Sequence, residues 1–129
     1  MRNTLVNLSR SLAFLTLIAI MSIGCSKPPT KGIITVVDLE TGIAVSGAEV
    51  KLFMEQDNQG FFPCDEGFVR EKIYFTGAGG VVDICFEHAS VINVLVTTNS
   101  LLGNEVQTGS GRLSLQAEET TGLTIRVTE

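Results

Sequence analysis

The chain has no tryptophan, one tyrosine (Tyr74) and one histidine (His88) among its 129 residues. These scarcities narrow the range of functions. One imidazole cannot build a histidine-based metal centre, and it leaves His88 as the sole histidine proton carrier near neutral pH. No nucleophile elbow of the G-x-S-x-G kind accompanies it, so a serine–histidine pair has no recognisable setting. Basic residues are also few: nine Lys and Arg stand against 14 Asp and Glu, a formal charge of −5, and they form no cluster. An acidic chain without a basic patch is a poor match for nucleic acid or an anionic lipid surface. No stretch after the N-terminal region keeps a helical period. The expectation is a protein that is not an enzyme and carries no cofactor, which leaves binding and structural roles.

The N-terminus has the zones of a secretory leader. Arg2 and Arg10 supply positive charge, Ser11–Ile23 is an apolar run of 13 residues, and Ser22-Ile23-Gly24 is a small-x-small site before Cys25. The run falls short of the about 20 residues that a membrane span needs. Cleavage before Cys25 resembles processing of bacterial lipoproteins, where that cysteine receives lipid; Ser22 stands where such sites usually have Leu. The resemblance implies a signal peptide over residues 1–24, lipidation at Cys25 and a lipid anchor in the membrane. An ordinary signal cut at the same bond, leaving a free N-terminal thiol, is the alternative. Residues 25–31 read as a tether, with Pro28-Pro29 favouring an extended chain. Ser26 after the lipidated cysteine resembles an outer-membrane address in enteric bacteria, which implies the periplasmic side, with the cell surface as the alternative. Removing Arg2 and Arg10 with the leader takes the formal charge from −5 to −7.

Residues 32–129 read as one domain, and with the tether its length suffices to bury roughly two-thirds of the unfolded surface. Ile33–Val37 is β-branched, and Asp38-Leu39-Glu40-Thr41-Gly42 interrupts it as a turn. From Ala48 the period becomes two, with Ala48, Val50, Leu52 and Met54 opposite Glu49, Lys51 and Phe53. Val69, Ile73 and Phe75 alternate with Arg70, Lys72 and Tyr74 as a third strand, and Val82, Ile84 and Phe86 mark a fourth. In Val91–Thr98, Ile92, Val94 and Val96 share a face and Leu95 lies on the other, as in a central strand covered on both sides. Glu105–Thr108, a strand around Leu113 and Leu115, and one around Leu123, Ile125 and Val127 complete the set. Gly77-Ala78-Gly79-Gly80 reads as a hairpin turn; no helix follows it to offer amides to a phosphate. The predicted fold is all-β, a seven- to eight-stranded antiparallel Greek-key β-sandwich.

Two turn signatures carry a family resemblance. Asp38-x-Glu40-Thr41-Gly42-x-x-Val45-x-Gly47-Ala48-x-Val50 resembles the opening of carboxypeptidase regulatory-like domains, which are sandwiches of the transthyretin (prealbumin-like) type. Thr76-Gly77-Ala78-Gly79-Gly80 resembles their second landmark, usually T-D-x-x-G, with Gly77 in place of the Asp. The resemblance implies a prealbumin-like fold and says little of function. Two enzyme families of related fold do not fit. Hydroxyisourate hydrolases use more than one His and end in Tyr-Arg-Gly-Ser, whereas this chain ends Ile125-Arg126-Val127-Thr128-Glu129. Intradiol dioxygenases hold iron with two Tyr and two His, and this chain has one of each.

With Cys25 lipidated, Cys64 and Cys85 remain in an oxidising compartment, and a Cys64–Cys85 disulfide is expected. The alternative is a metal site of Cys64, Cys85, His88 and Asp65. Glu55, Asp57, Asn58, Asp65 and Glu66 gather in one loop; solvated charge is the first reading and calcium the second, since the spacing is not that of known calcium loops. Phe61-Phe62-Pro63 either plugs one end of the sandwich or forms an aromatic platform. For a glycan, Phe61, Phe62 and Tyr74 are the candidate contacts. The functional expectation is a non-catalytic scaffold in the bacterial envelope, with an envelope protein as partner through an edge strand or the end loops. A carbohydrate-binding module and a fimbrial or surface-assembly component are the alternatives.

Overall fold

The computed structural model describes Gly24, residues 26–99 and residues 105–129. The apolar run Ser11–Ile23 and the expected lipidation site Cys25 lie outside the described residues. Seven strands follow in order: β1 (Thr30–Asp38), β2 (Glu49–Phe53), β3 (Glu71–Phe75), β4 (Val81–Phe86), β5 (Val91–Asn99), β6 (Val106–Ser114) and β7 (Thr120–Val127). They form two sheets, ordered β4-β1-β7 and β3-β2-β5-β6. The described residues contain no helix. The molecule is an all-β sandwich.

The core lies between the sheets, and period-two patterning puts it there. In β1, Ile34 and Val36 point inward; Val50 and Leu52 of β2, Ile92, Val94 and Val96 of β5, Leu113 of β6 and Ile125 and Val127 of β7 meet them, all at most 2% exposed. Each such side chain contributes about 1.5–3 kcal/mol on leaving water. β1 starts at Thr30, so Thr30 and Lys31 belong to the sheet and not to the expected tether. The Thr30 hydroxyl accepts the Glu118 amide at 2.9 Å, which ties the chain's entry to the turn before β7.

Four features differ from the sequence expectations. First, β1 and β7 pair in parallel, Ile34 beside Leu123 and Val36 beside Ile125, while the other named pairs are antiparallel. A parallel neighbour needs a long connection, and here the intervening chain passes through the other sheet. Second, all but Glu105 of the expected strand Glu105–Thr108 joins the strand around Leu113 in one nine-residue strand, β6, which passes through Gly109 and Gly111. A Cβ on Gly109 would stand 2.6 Å from the Arg126 carbonyl oxygen, so glycine here lets β6 and β7 approach. Third, Gly77–Gly80 joins β3 to β4 across the two sheets; it is a corner and not a hairpin of neighbouring strands. Fourth, Leu95 on central β5 is 37% exposed, because among the described residues no second layer covers the outer face of the β3-β2-β5-β6 sheet.

Candidate functional site

The two turn signatures, 28 residues apart, meet at Thr76. Its hydroxyl accepts the Ala48 amide at 2.9 Å and donates to the Val45 carbonyl at 2.6 Å. Its own amide donates to the Ala48 carbonyl, and its carbonyl accepts the Gly47 amide. Gly80 completes the corner: its carbonyl accepts the Val36 amide at 2.8 Å, and its φ is +67°. A Cβ there would lie 2.8 Å from the Val36 oxygen and 2.9 Å from the Val45 nitrogen, so only glycine fits. The preceding turn is held by Asp38, whose carboxylate accepts the amides of Glu40 and Thr41 at 2.9 and 3.0 Å and the Gln107 side chain at 3.2 Å. These bonds, the one from the Thr41 amide foremost and Gln107 next, hold the Asp38 carboxyl below its ordinary value.

Thr76 also fixes the facing of β3. Because its hydroxyl must reach the core-side Ala48 and Val45 groups, Tyr74 and Lys72 share its face, and Tyr74 packs on the margin of the core opposite fully buried Val50. Ile73 and Phe75 therefore turn outward, 42% and 66% exposed, and the expected face of this strand is reversed. Counting back by twos from a buried threonine would have revealed this; hydrophobicity alone favoured Ile73 and Phe75. Burial, and after it the nearby Glu66 carboxylate, push the Tyr74 phenol above its usual value.

The long loop between β2 and β3 lies along the free side of β4. Pro63 bridges Phe86, the Cys64 amide donates to the Cys85 carbonyl, and the Glu87 amide donates to the Phe62 carbonyl. The Cys64–Cys85 disulfide, with Cα atoms 5.4 Å apart, fastens this loop strand to the edge. Its closure of a loop with sequence separation 21 stabilises by about 3 kcal/mol in the chain-entropy picture. With both sulfurs joined to each other, the alternative Cys64–Cys85–His88 metal set loses its two thiolates. Phe61 is 2% exposed, in the core with its ring 6.1 Å from that of Phe86. Phe62 is half-buried, edge-on to Phe68 and His88. The three candidate glycan contacts thus do not form one platform: Phe61 is inside, Tyr74 is on the core margin of β3, and Phe62 lies beside β4. Of the loop acids, Glu66 pairs with Lys72 and Glu55 with Arg112, and among the described residues no group of three or more His, Cys, Asp or Glu converges as a metal site.

The remaining edges decide what can dock. β6 and β7 meet through paired hydrogen bonds between Thr108 and Thr128 and close in at Gly109. β3 differs. Among the described residues, no bridge or backbone hydrogen bond engages the side of β3 away from β2. Beside its end lies a groove of about 400 Å³, formed by Ala44–Gly47, Glu49, Phe75 and Thr97–Asn99. The fold and these edges define a disulfide-stapled β-sandwich whose strand β3 has, among the described residues, one open side. No family model matches the chain, and neither a curated protein nor a solved structure matches it.

Proposed function

We propose that the chain is a lipid-anchored, non-catalytic scaffold of the bacterial envelope, tethered through Cys25 to the outer membrane on its periplasmic side, which binds an envelope protein by strand addition at β3. The observation that carries this reading is the open side of β3, flanked by outward Ile73 and Phe75, whereas the β4, β6 and β7 edges each make bridges or backbone hydrogen bonds to other parts of the chain. An unpaired edge offers backbone donors and acceptors in register, and adjacent apolar side chains supply specificity. The prealbumin-like, carboxypeptidase regulatory-like architecture belongs to the same proposal; the convergence of both turn signatures on Thr76 supports it.

The test combines the intact mass of the membrane-purified protein with binding. A mass that begins at Cys25 and includes acyl groups supports the anchor; an unlipidated mass refutes it. Lysine at Ile73 and Phe75 places charge on the edge at exposed positions that the fold does not need. Loss of a stoichiometric envelope partner in these variants supports strand addition, and undiminished binding refutes it.

A further inference from the structure

The chain enters the sandwich at one end, and a group of exposed apolar side chains lies at the other. Thr30 lies beside Phe86 and the turn before β7. The opposite end is built from the turn after β1, the Gly77–Gly80 corner, the end of β5, the start of β6 and the C-terminus. Leu39 (50%), Ile43 (63%), Phe75 (66%) and Val106 (54%) are exposed there. Loop contacts hold these residues together: the Asp38 amide donates to the Ile43 carbonyl, Gln107 reaches Asp38, and Val106 pairs with Asn99 at the rim of the groove that Phe75 lines. The same end is acidic. Glu40, Glu49 and Glu105 surround the apolar residues, and among the described residues none of the three is in an ion pair. Arg126, on β7 beside Val37, is the one basic residue of this end among those described.

We propose that this end docks a basic protein segment that places an apolar side chain in the groove beside Phe75. An apolar centre inside an acidic rim is complementary to a cationic segment with a hydrophobic anchor: the anchor supplies burial and the rim supplies selection and encounter rate. Position supports the assignment. Residues 26–29 span about 13 Å when extended, and the nine residues of β1 add about 30 Å. A chain held at Cys25 can therefore present this end up to about 40 Å from the bilayer. The inference rests on the protein-binding reading above and names the surface and the partner's chemistry.

The experiment uses the full-length chain in its own membranes. A photo-crosslinking residue is placed singly at Ile43, Val106, Ile73 and Val91, all exposed, and adducts are mapped to the partner peptide by mass spectrometry. The expected result is an adduct from Ile43 and Val106 to a net-basic peptide, none from Val91 at the tethered end, and about a tenfold lower yield when Glu40→Lys and Glu105→Lys are combined. An adduct from Ile73 alone overturns this inference and leaves strand addition standing. No adduct from Ile43, Val106 or Ile73 overturns both. An adduct from Ile43 that is indifferent to the charge reversals, or that maps to an acidic peptide, overturns the assignment of a basic segment.

Discussion

Replacing Thr76 with valine changes little in shape and removes one hydroxyl. Two partners then lose their bonds: the amide of Ala48, which is 0% exposed, and the carbonyl of Val45, 8% exposed. Each buried group left unpaired costs about 1–3 kcal/mol. The valine methyl recovers little, because the threonine methyl is already in place. Thr76→Val is expected to lose about 3 kcal/mol from a total of about 5–15 kcal/mol. At a urea slope of about 1.5 kcal/mol/M, the unfolding midpoint falls by about 2 M with the disulfide intact. Thr76→Ser keeps both bonds and loses one methyl, so it should lose only about 1 kcal/mol. Both variants are read by urea titration followed by circular dichroism. If valine costs no more than serine, the hydroxyl is not what joins the two turns, and the account of the corner fails.

Three further outcomes follow from the geometry. Replacing Cys64 and Cys85 by alanine together should lower stability by about 3 kcal/mol in thermal or urea unfolding, and a loss under 1 kcal/mol would show that the loop strand holds β4 without the bridge. Gly109→Ala should lose about 1–3 kcal/mol, since its Cβ would meet the Arg126 oxygen at 2.6 Å, whereas Gly122→Ala, with nothing within 4 Å, should change stability by less than about 0.5 kcal/mol. Asp38 has a lowered folded-state value, so its contribution is present above its unfolded-state value of about 3.9 and disappears as pH falls through the lower folded one. The stability gap between the native chain and Asp38→Asn should therefore close on acidification, and a carboxyl titration by NMR at or above the ordinary value would contradict the three bonds to Asp38.

The β-branched run Ile33–Val37 located β1, and period-two alternation located β2, β3, β4, β5 and β7, each with one face on a shared core. It misjudged places where another demand outweighs hydrophobicity. Ile73 and Phe75 look like core residues, yet Thr76 must face inward to satisfy two backbone groups, and that choice turns the strand over. Gly109 and Gly111 look like a break, yet they are strand residues that permit two chains to pass closely. The disulfide was legible from cysteine number and compartment, and the structure adds that it secures an edge. Phe61, Phe62 and Tyr74 were grouped because aromatic residues are scarce; whether three rings face one way depends on long-range register, which no local pattern contains. The cluster of Leu39, Ile43, Phe75 and Val106 was illegible for the same reason, its members coming from three separate parts of the chain.

On the strand-addition reading proposed above, the loop strand clipped to β4 bears on how many molecules could join in a row. A sheet that is open on two sides can take a strand on one side and offer another on the far side, and repetition of that step builds a fibre. Here Phe62–Cys64 cover the edge of β4 at Cys85–Glu87, and β6 and β7 shield each other where they meet. Among the described residues, β3 is the edge strand with no bridge or backbone hydrogen bond on its outer side. On the proposed reading a strand would add there, and the Cys64–Cys85 staple works against a second addition at the clipped end of β4.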